Sequence, residues 1–327
     1  MEKLDLKDRK ILYELDIDCR QSFRSIGRKV GLSKDVVASR VKKLEKEGYI
    51  LYYFTSIDSS RLGYTSFRFY INFKNTTKEI EEEIIDYFVK NKYVWIVQSL
   101  KGKYDLVVCI WIKETIDFYK FWEKTLQKYH QYFEKQVFSV YFQHYTFKIN
   151  QNLFSDAKFN PDKRRYEIIG GGKVVNTDEI DKKILQNLAN NARMPTIDIA
   201  KNLGLSATTV KNRMDRLTRI GVIQGFRYVG NFLKYGYKMY KTDINLIDYS
   251  KKQPIIDYIL KNPHLLVISK TAGYADLELD FVVKDEAELH SILDDLVNKF
   301  PNAIKNYDYY YEPKYHKVQY IPQEFIE

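Results

Sequence analysis

The sequence predicts an α+β protein: two copies of an amino-terminal winged helix-turn-helix, each followed by a ferredoxin-like βαββαβ domain. Three observations predict it. The chain matches itself at a shift of 173 residues, each copy opens with three short amphipathic helices around a Gly-Leu-Ser turn, and each copy continues with strands and helices in the order β-α-β-β-α-β.

The repeat comes first. Laying residues 8–50 on 181–223 without gaps gives 15 identities in 43 positions, among them Asp8/Asp181, Leu12/Leu185, Arg20/Arg193, Gly31/Gly204, Ser33/Ser206, Arg40/Arg213 and Gly48/Gly221. The period is far longer than a solenoid repeat of about 20–50 residues, so it describes a doubled two-domain unit. The boundaries that follow are 1–57 and 177–228 for the helix-turn-helix units, 58–154 and 229–317 for the βαββαβ units, 155–176 for a linker and 318–327 for a tail. Gly170-Gly171-Gly172 within the linker predicts flexibility.

Within each helix-turn-helix unit the residues assign the helices. Leu4, Ile11, Leu12 and Leu15 recur at helical spacing. Ser22 suits the cap of a second helix, on which Ile26 and Val30 share a face. Gly31 suits a left-handed turn, Leu32 a core plug, and Ser33 the cap of a third helix with a Val37, Val41, Leu44 stripe ending at Gly48. The second copy repeats this with Ile199, Leu203, Gly204, Leu205, Ser206, Val210, Met214, Leu217 and Gly221. Off the stripe, the third helix presents Lys34, Ser39 and Lys42 in one copy and Thr208, Lys211 and Asn212 in the other. Those side chains, the capping Ser33 and Ser206, and Arg40 and Arg213 beside the stripe are the candidate DNA contacts.

In the βαββαβ units, Phe67, Phe69, Ile71 and Phe73 alternate with polar residues as a half-buried strand, Thr77 and Thr115 are expected helix caps, and Lys101 to Asp105 forms a hairpin. The strand after the hairpin differs between copies. Its second face carries Val107, Cys109 and Trp111 in the first and Glu278, Asp280 and Val282 in the second. This asymmetry predicts that the two βαββαβ units pair with each other within the chain, with Arg68 as a partner for Glu278 or Asp280.

Charge supports a polyanionic partner. Of 327 residues 53 are Lys or Arg and 43 Asp or Glu, a net charge of +10. The helix-turn-helix units carry +4 each, while residues 58–155 carry +3 and residues 229–327, the second βαββαβ unit with its tail, carry −3. Two distant cysteines predict neither a disulfide framework nor a zinc module. The longest apolar run has seven residues, against the ~20 of a bilayer span. A cytoplasmic protein without membrane contact is expected. Five scattered histidines and the absence of phosphate-loop and nucleophile-elbow motifs argue against an enzyme.

The order helix-turn-helix, Gly-Leu-Ser turn, Leu62-Gly63-Tyr64 strand entry and Gly102-Lys103-Tyr104-Asp105 hairpin resembles the Lrp/AsnC, or feast/famine, transcription regulators, twice over nearly the whole chain. The resemblance implies double-stranded DNA as partner and a ligand-sensing role for the βαββαβ units. It also implies no cofactor beyond an amino-acid-type small-molecule effector, and pairing of sensor sheets with room for further homo-oligomers. Its effector positions map to Gly102, Tyr104 and Asp105, and to Gly273 and Asp276, where Tyr274 has moved one place and Ala275 stands at the motif tyrosine. One alternative is a fused sirohaem-decarboxylase-like enzyme of haem biosynthesis, although the hairpins follow the regulator's pattern. Another is an effector-binding protein without DNA binding.

Overall fold

The computed structural model describes residues 4–148 and 160–325. Linker residues 155–159 and the last two residues of the tail lie outside them. The first helix-turn-helix comprises α1 (Leu6–Ile17), α2 (Phe23–Val30) and α3 (Lys34–Lys46). Ser22 Oγ accepts the Ser25 amide and Ser33 Oγ the Val36 amide, while Gly31 sits at φ +70°, so the predicted caps and turn form as the residue types dictate. Ile11, Leu12, Leu15, Ile26, Val37, Val41 and Leu44 meet in one buried core. After β1 (Ile50–Ile57) come β2 (Thr65–Phe73), α4 (Lys78–Lys90), β3 (Val94–Gly102), β4 (Leu106–Ile112), α5 (Thr115–Tyr129) and β5 (Phe133–Phe147). Thr77 caps α4 as expected; Thr115 does not cap α5 but is its first residue, behind an uncapped Glu114.

The second half follows a short β6 (Tyr166–Ile169). It runs α6 (Glu179–Ala189), α7 (Thr196–Leu203), α8 (Ala207–Arg219), β7 (Ile223–Gly230), the single turn α9 (Phe232–Tyr235), β8 (Lys238–Leu246), α10 (Lys252–Ile259), β9 (Leu265–Ala272), β10 (Leu277–Val283), α11 (Glu286–Lys299) and β11 (Ile304–Val318). Asp178 closes a capping box with Asp181 at the start of α6, and Ser206 caps α8 through the Thr209 amide.

The halves share both of their sheets. β1 pairs antiparallel with β7 in a two-stranded ribbon between the helix-turn-helix units. The other strands run in the order β2-β4-β3-β11-β8-β10-β9-β5, and β5 pairs back onto β2, so eight antiparallel strands close a barrel with β6 added along β5. Closure depends on exchange: the last strand of each half lies against the other half's second strand, β11 on β3 and β5 on β9. Phe69, Ile71, Val108 and Ile110 face α4 and α5 outside the barrel, and Leu277, Leu279 and Phe281 face α10 and α11. Alternation then turns the remaining residues of these strands inward.

Contacts across the ribbon are reciprocal at the 173-residue shift. The Cys19 amide donates to the Phe226 carbonyl at 2.9 Å and the Ala192 amide to the Tyr53 carbonyl at 3.3 Å. Arg20 donates to the Ala192 carbonyl, and Arg193 to that of Cys19. The Asp58 amide reaches the Val222 carbonyl, and the Asn231 amide that of Tyr49. Such i-to-j, j-to-i exchange is the mark of an isologous contact. Phe54 faces Arg227 at the centre of the ribbon.

The segment expected to be flexible is tied down, and so is the described part of the tail. The triple glycine is not a slack linker: the Gly170 amide donates to Asp58 Oδ1 at 2.9 Å and the Gly172 amide to Ser60 Oγ at 3.0 Å. A Cβ on Gly170 would lie 2.3 Å from the Phe142 carbonyl oxygen, so glycine serves close packing there. Nor is the described tail free, because Ile321 and Phe325 are buried against the α6–α8 core.

Barrel closure also explains the hairpin glycines. Gly102 and Gly273 both sit at φ +131°, and a Cβ on Gly273 would stand 2.5 Å from the Phe138 carbonyl oxygen of β5. Gly273→Ala is expected to cost about 1–3 kcal/mol, read as a lowered urea midpoint. Gly63→Ala, at φ +88° with open space around it, bears only the backbone cost and is expected to lose less.

Candidate functional site

The third helix of each helix-turn-helix unit presents the exposed side chains that could reach a duplex. Lys34, Ser39 and Lys42 on α3 and Thr208, Lys211 and Asn212 on α8 are all solvent-exposed. Ser33 and Ser206 stand at the amino ends of these helices with their hydroxyls already accepting helix amides. Val36, 42 % exposed on α3, joins this face. The sequence held the signal in the Val36-Val37 doublet, of which only Val37 fits the buried stripe with Val41 and Leu44. An exposed methyl on such a face is the group that meets a thymine methyl.

Arg40 and Arg213, expected at phosphates, each make ion pairs within their own helix-turn-helix unit. Arg40 Nη1 lies 2.6 Å from Asp5 and 2.8 Å from Asp8 at the start of α1. Arg213 Nη1 lies 2.7 Å from Asp178 and 3.0 Å from Asp181 at the start of α6, and Arg216 takes the other Asp181 oxygen at 2.8 Å. Hydrogen bonds donated to Asp8 and Asp178 hold the two guanidiniums above their ordinary range. Each arginine ties the third helix to the first through its Nη1.

The hairpin residues also serve the fold. Asp105 Oδ2 accepts the Phe73 amide and Asp276 Oδ2 the Leu246 amide, both at 2.8 Å, which fastens each hairpin to the end of its own first strand. Gly102 and Gly273 allow the close strand approach at closure. Tyr104 is fully buried, stacked on Tyr70 at 4.9 Å and edge-on to Tyr274 at 5.7 Å. The displaced tyrosine of the second hairpin therefore meets that of the first, and Ala275 makes room. The rings close one end of the barrel.

Inside the barrel lies a charged cluster that the sequence marked only in part. Arg68 Nη1 stands 3.5 Å from Glu278 Oε2, the predicted pairing. Lys241 Nζ lies 2.7 Å from the same oxygen and 3.3 Å from Asp280. The Tyr141 hydroxyl donates to Glu278, and that of Tyr310 to Asp243 at 3.1 Å. Burial alone would raise the Glu278 carboxyl, but Lys241 and Arg68 outweigh it and hold the group low. Burial and then the Glu278 charge push Asp243 well up, so it stays protonated near neutrality. Lys241 and Asp243 were legible as alternate positions on one face of β8, but their partners come from other strands.

Comparison with known proteins follows this geometry. The AsnC-type helix-turn-helix domain family matches residues 4–45, and the winged helix-turn-helix DNA-binding family matches residues 177–224. The HTH-type transcriptional regulator FL11 of Pyrococcus horikoshii is 30% identical over 126 residues, 38% of this chain and 83% of the relative. The regulatory protein AsnC of Haemophilus influenzae is 31% identical over 120 residues, 36% of this chain and 79% of the relative. The chain belongs to the Lrp/AsnC family. Among solved structures, the siroheme decarboxylase NirDL aligns over 98% of this chain and 96% of its own at 13% identity, with a TM-score of 0.65, a likeness of fold. No described helix of this family member is long and apolar enough to cross a membrane.

Two outcomes follow from these contacts. Arg213→Ala is expected to destabilise the second helix-turn-helix by about 1 kcal/mol or less, seen in thermal unfolding, while the salt dependence of any DNA binding keeps its slope. His144, stacked on Tyr141 at 4.4 Å, is pressed down to about 3 by burial and then by Arg68 and Lys241. The folded imidazole thus stays neutral while the unfolded one gains a proton near pH 6.5. Between pH 6.5 and about 3 the unfolded state binds more protons, so stability falls as pH falls. The urea midpoint of His144→Gln is expected to drop less than that of the parent between pH 7 and pH 4.

Proposed function

We propose that this chain is a sequence-specific DNA-binding transcription regulator of Lrp/AsnC type. In this reading a tandem duplication pairs its two halves as an intramolecular pseudo-dimer. The observation that carries it is the β1–β7 ribbon with its reciprocal bonds, which gives the two basic helix-turn-helix units a near-two-fold relation. Two readers so related suit half-sites on one face of a duplex, about 34 Å apart or a multiple of that. The exposed faces differ, with Lys34, Ser39 and Lys42 against Ala207, Asn212 and Asp215, and this favours an asymmetric site.

The pairing in cis has support from charge. Arg68 and Lys241 are equivalent at the 173-residue shift, whereas Glu278 and Asp280 stand where the first half has Val107 and Cys109. Two first halves would bring together two buried arginines with neither acid, and two second halves two lysines with four acids. Only the mixed pair balances. An amino-acid-type effector, the family's expectation, would approach the exposed outer rim of the hairpins at Lys101, Gly102 and Asp105.

A second reading, a sirohaem-decarboxylase-like enzyme, is favoured by the whole-length fold likeness. Against it stands size: the barrel interior holds about 260 Å³, below the ~300–1,000 Å³ of pockets for drug-sized ligands, and a tetrapyrrole is larger than those.

The test is selection of bound sites from random duplexes, followed by titration at several salt concentrations. With ~6–10 phosphate contacts, affinity is expected to fall about 10³–10⁵-fold between 50 and 200 mM salt. Lys211→Ala is expected to weaken all sequences alike and to reduce the salt slope by about 1, whereas Asn212→Ala changes the selected sequence. Weak binding that ignores salt would overturn the regulator. Sedimentation as an obligate dimer of the 39.0 kDa chain, joined through one half, would overturn the pairing in cis.

A further inference from the structure

The interior of the barrel is more than a packed core. An eight-stranded barrel is just wide enough for side chains to fill it or for one small molecule to lodge. Here a cavity of about 260 Å³ remains towards the ribbon end, lined by residues of both halves, among them Arg68, Trp95, Gln98, Trp111, Tyr310 and Tyr315. The charges within and beside it are already paired: Arg68 and Lys241 with Glu278 and Asp280, Arg227 with Asp16, and Glu167 with Lys148, while burial holds the Asp243 carboxyl well up.

Among the buried polar atoms of the lining without a hydrogen-bond partner are three donors, beside one acceptor, Glu167 Oε2. Arg68 Nε, Gln98 Nε2 and Trp95 Nε1 are buried with no acceptor, and all three belong to the cavity lining. Native interiors seldom leave buried donors unmet, because each forfeits its hydration without recompense. The strand register gathers them in one region: Arg68 and Ile96 flank Cys109 on β4, and Gln98 lies one inward step further along β3. The ladder breaks between Val94 and Ile96, which marks Trp95 as a bulge residue of the kind that re-aims a side chain beside a site. Its indole lies parallel to that of Trp111, 4.7 Å between centroids and 4° apart. The cavity therefore offers a flat aromatic wall, unmet hydrogen-bond donors and no surplus charge.

We propose that this cavity is a binding site for a neutral, planar molecule bearing carbonyl acceptors, of the cyclic imide or amide class. Its ring would lie along the tryptophan wall and its carbonyls would take the donors of Trp95, Gln98 and Arg68. Charge balance selects the neutral form: a carboxylate would add an unpaired negative charge to a buried and already neutral cluster. The site is separate from the DNA-reading faces and from the hairpin rims, and it does not depend on the regulator reading.

The test uses the full chain and three probes that share one naphthalene ring: 1,8-naphthalimide, 1-naphthoate and naphthalene. Binding is followed by tryptophan fluorescence and by calorimetry. The imide is expected to bind saturably, one per chain, at least tenfold more tightly than either of the others, and to quench tryptophan emission. Gln98→Leu is expected to weaken the imide at least tenfold and yet to raise the thermal midpoint of the unliganded protein, because it removes an unmet donor. Trp95→Phe is expected to weaken the imide as well. No saturable binding of the imide, equal or tighter binding of naphthalene or naphthoate, or a lowered midpoint for Gln98→Leu with imide binding unchanged would each overturn the proposal.

Discussion

The chain's organisation rests on one buried electrostatic contact, the Glu278 carboxylate held between Arg68 and Lys241. The two cations occupy equivalent places in the two halves, while the acids come only from β10. Desolvating such charges is costly, and only close pairing offsets the cost. That requirement selects which strands can line the barrel together. Closure follows from it, with β11 drawn onto β3 and β5 onto β9, and closure brings Tyr70, Tyr104, Tyr274 and Tyr310 together at one end. The same arrangement leaves the other end open towards the ribbon.

The ribbon then relates the two readers. Its central pair, Phe54 and Arg227, stands where a pairing of identical halves would set a residue against itself. Arg227 is buried and bound to Asp16 at 2.8 Å, at the end of α1, so the asymmetry of the barrel is repeated beneath the helix-turn-helix units. Each reader core also borrows from the other half: Ala192 and Tyr228 pack with α1–α3, and Ile57, Leu62 and Tyr64 lie with the α6–α8 core. The readers are therefore parts of one packed body.

Much of this was legible in the sequence. The Gly-Leu-Ser turn, the caps Ser22, Ser33 and Ser206, and the strand-helix order all follow from local residue preferences, and local rules decide local structure. The Arg68–Glu278 partnership was legible because the repeat aligns β4 with β10 and exposes the odd face. What stayed hidden depends on distant neighbours. Arg40 and Arg213 read as surface cations, since their aspartate partners sit 32 and 35 residues away. Gly102 and Gly273 read as turn glycines, yet the atoms that crowd a Cβ, the Tyr309 carbonyl oxygen at 3.1 Å and that of Phe138 at 2.5 Å, belong to the opposite half. The triple glycine read as slack because its anchors, Asp58 and Ser60, lie over a hundred residues earlier. A cavity is harder still: no single residue encodes it, and only the closed register reveals which donors are left unmet.

Barrel closure has a consequence for synthesis. The chain emerges at about 5–20 residues per second, amino terminus first. Strand β3 is complete at residue 102, but its outer neighbour β11 ends at residue 318. For tens of seconds, then, the nascent first half holds an unpaired edge, the kind of edge that templates pairing with any other strand. A second nascent chain on the same message offers the same edge. Carrying the proper partner on the same polypeptide makes its arrival certain and its local concentration high, and the pinned glycine joint keeps the returning strands near the edges they must fill.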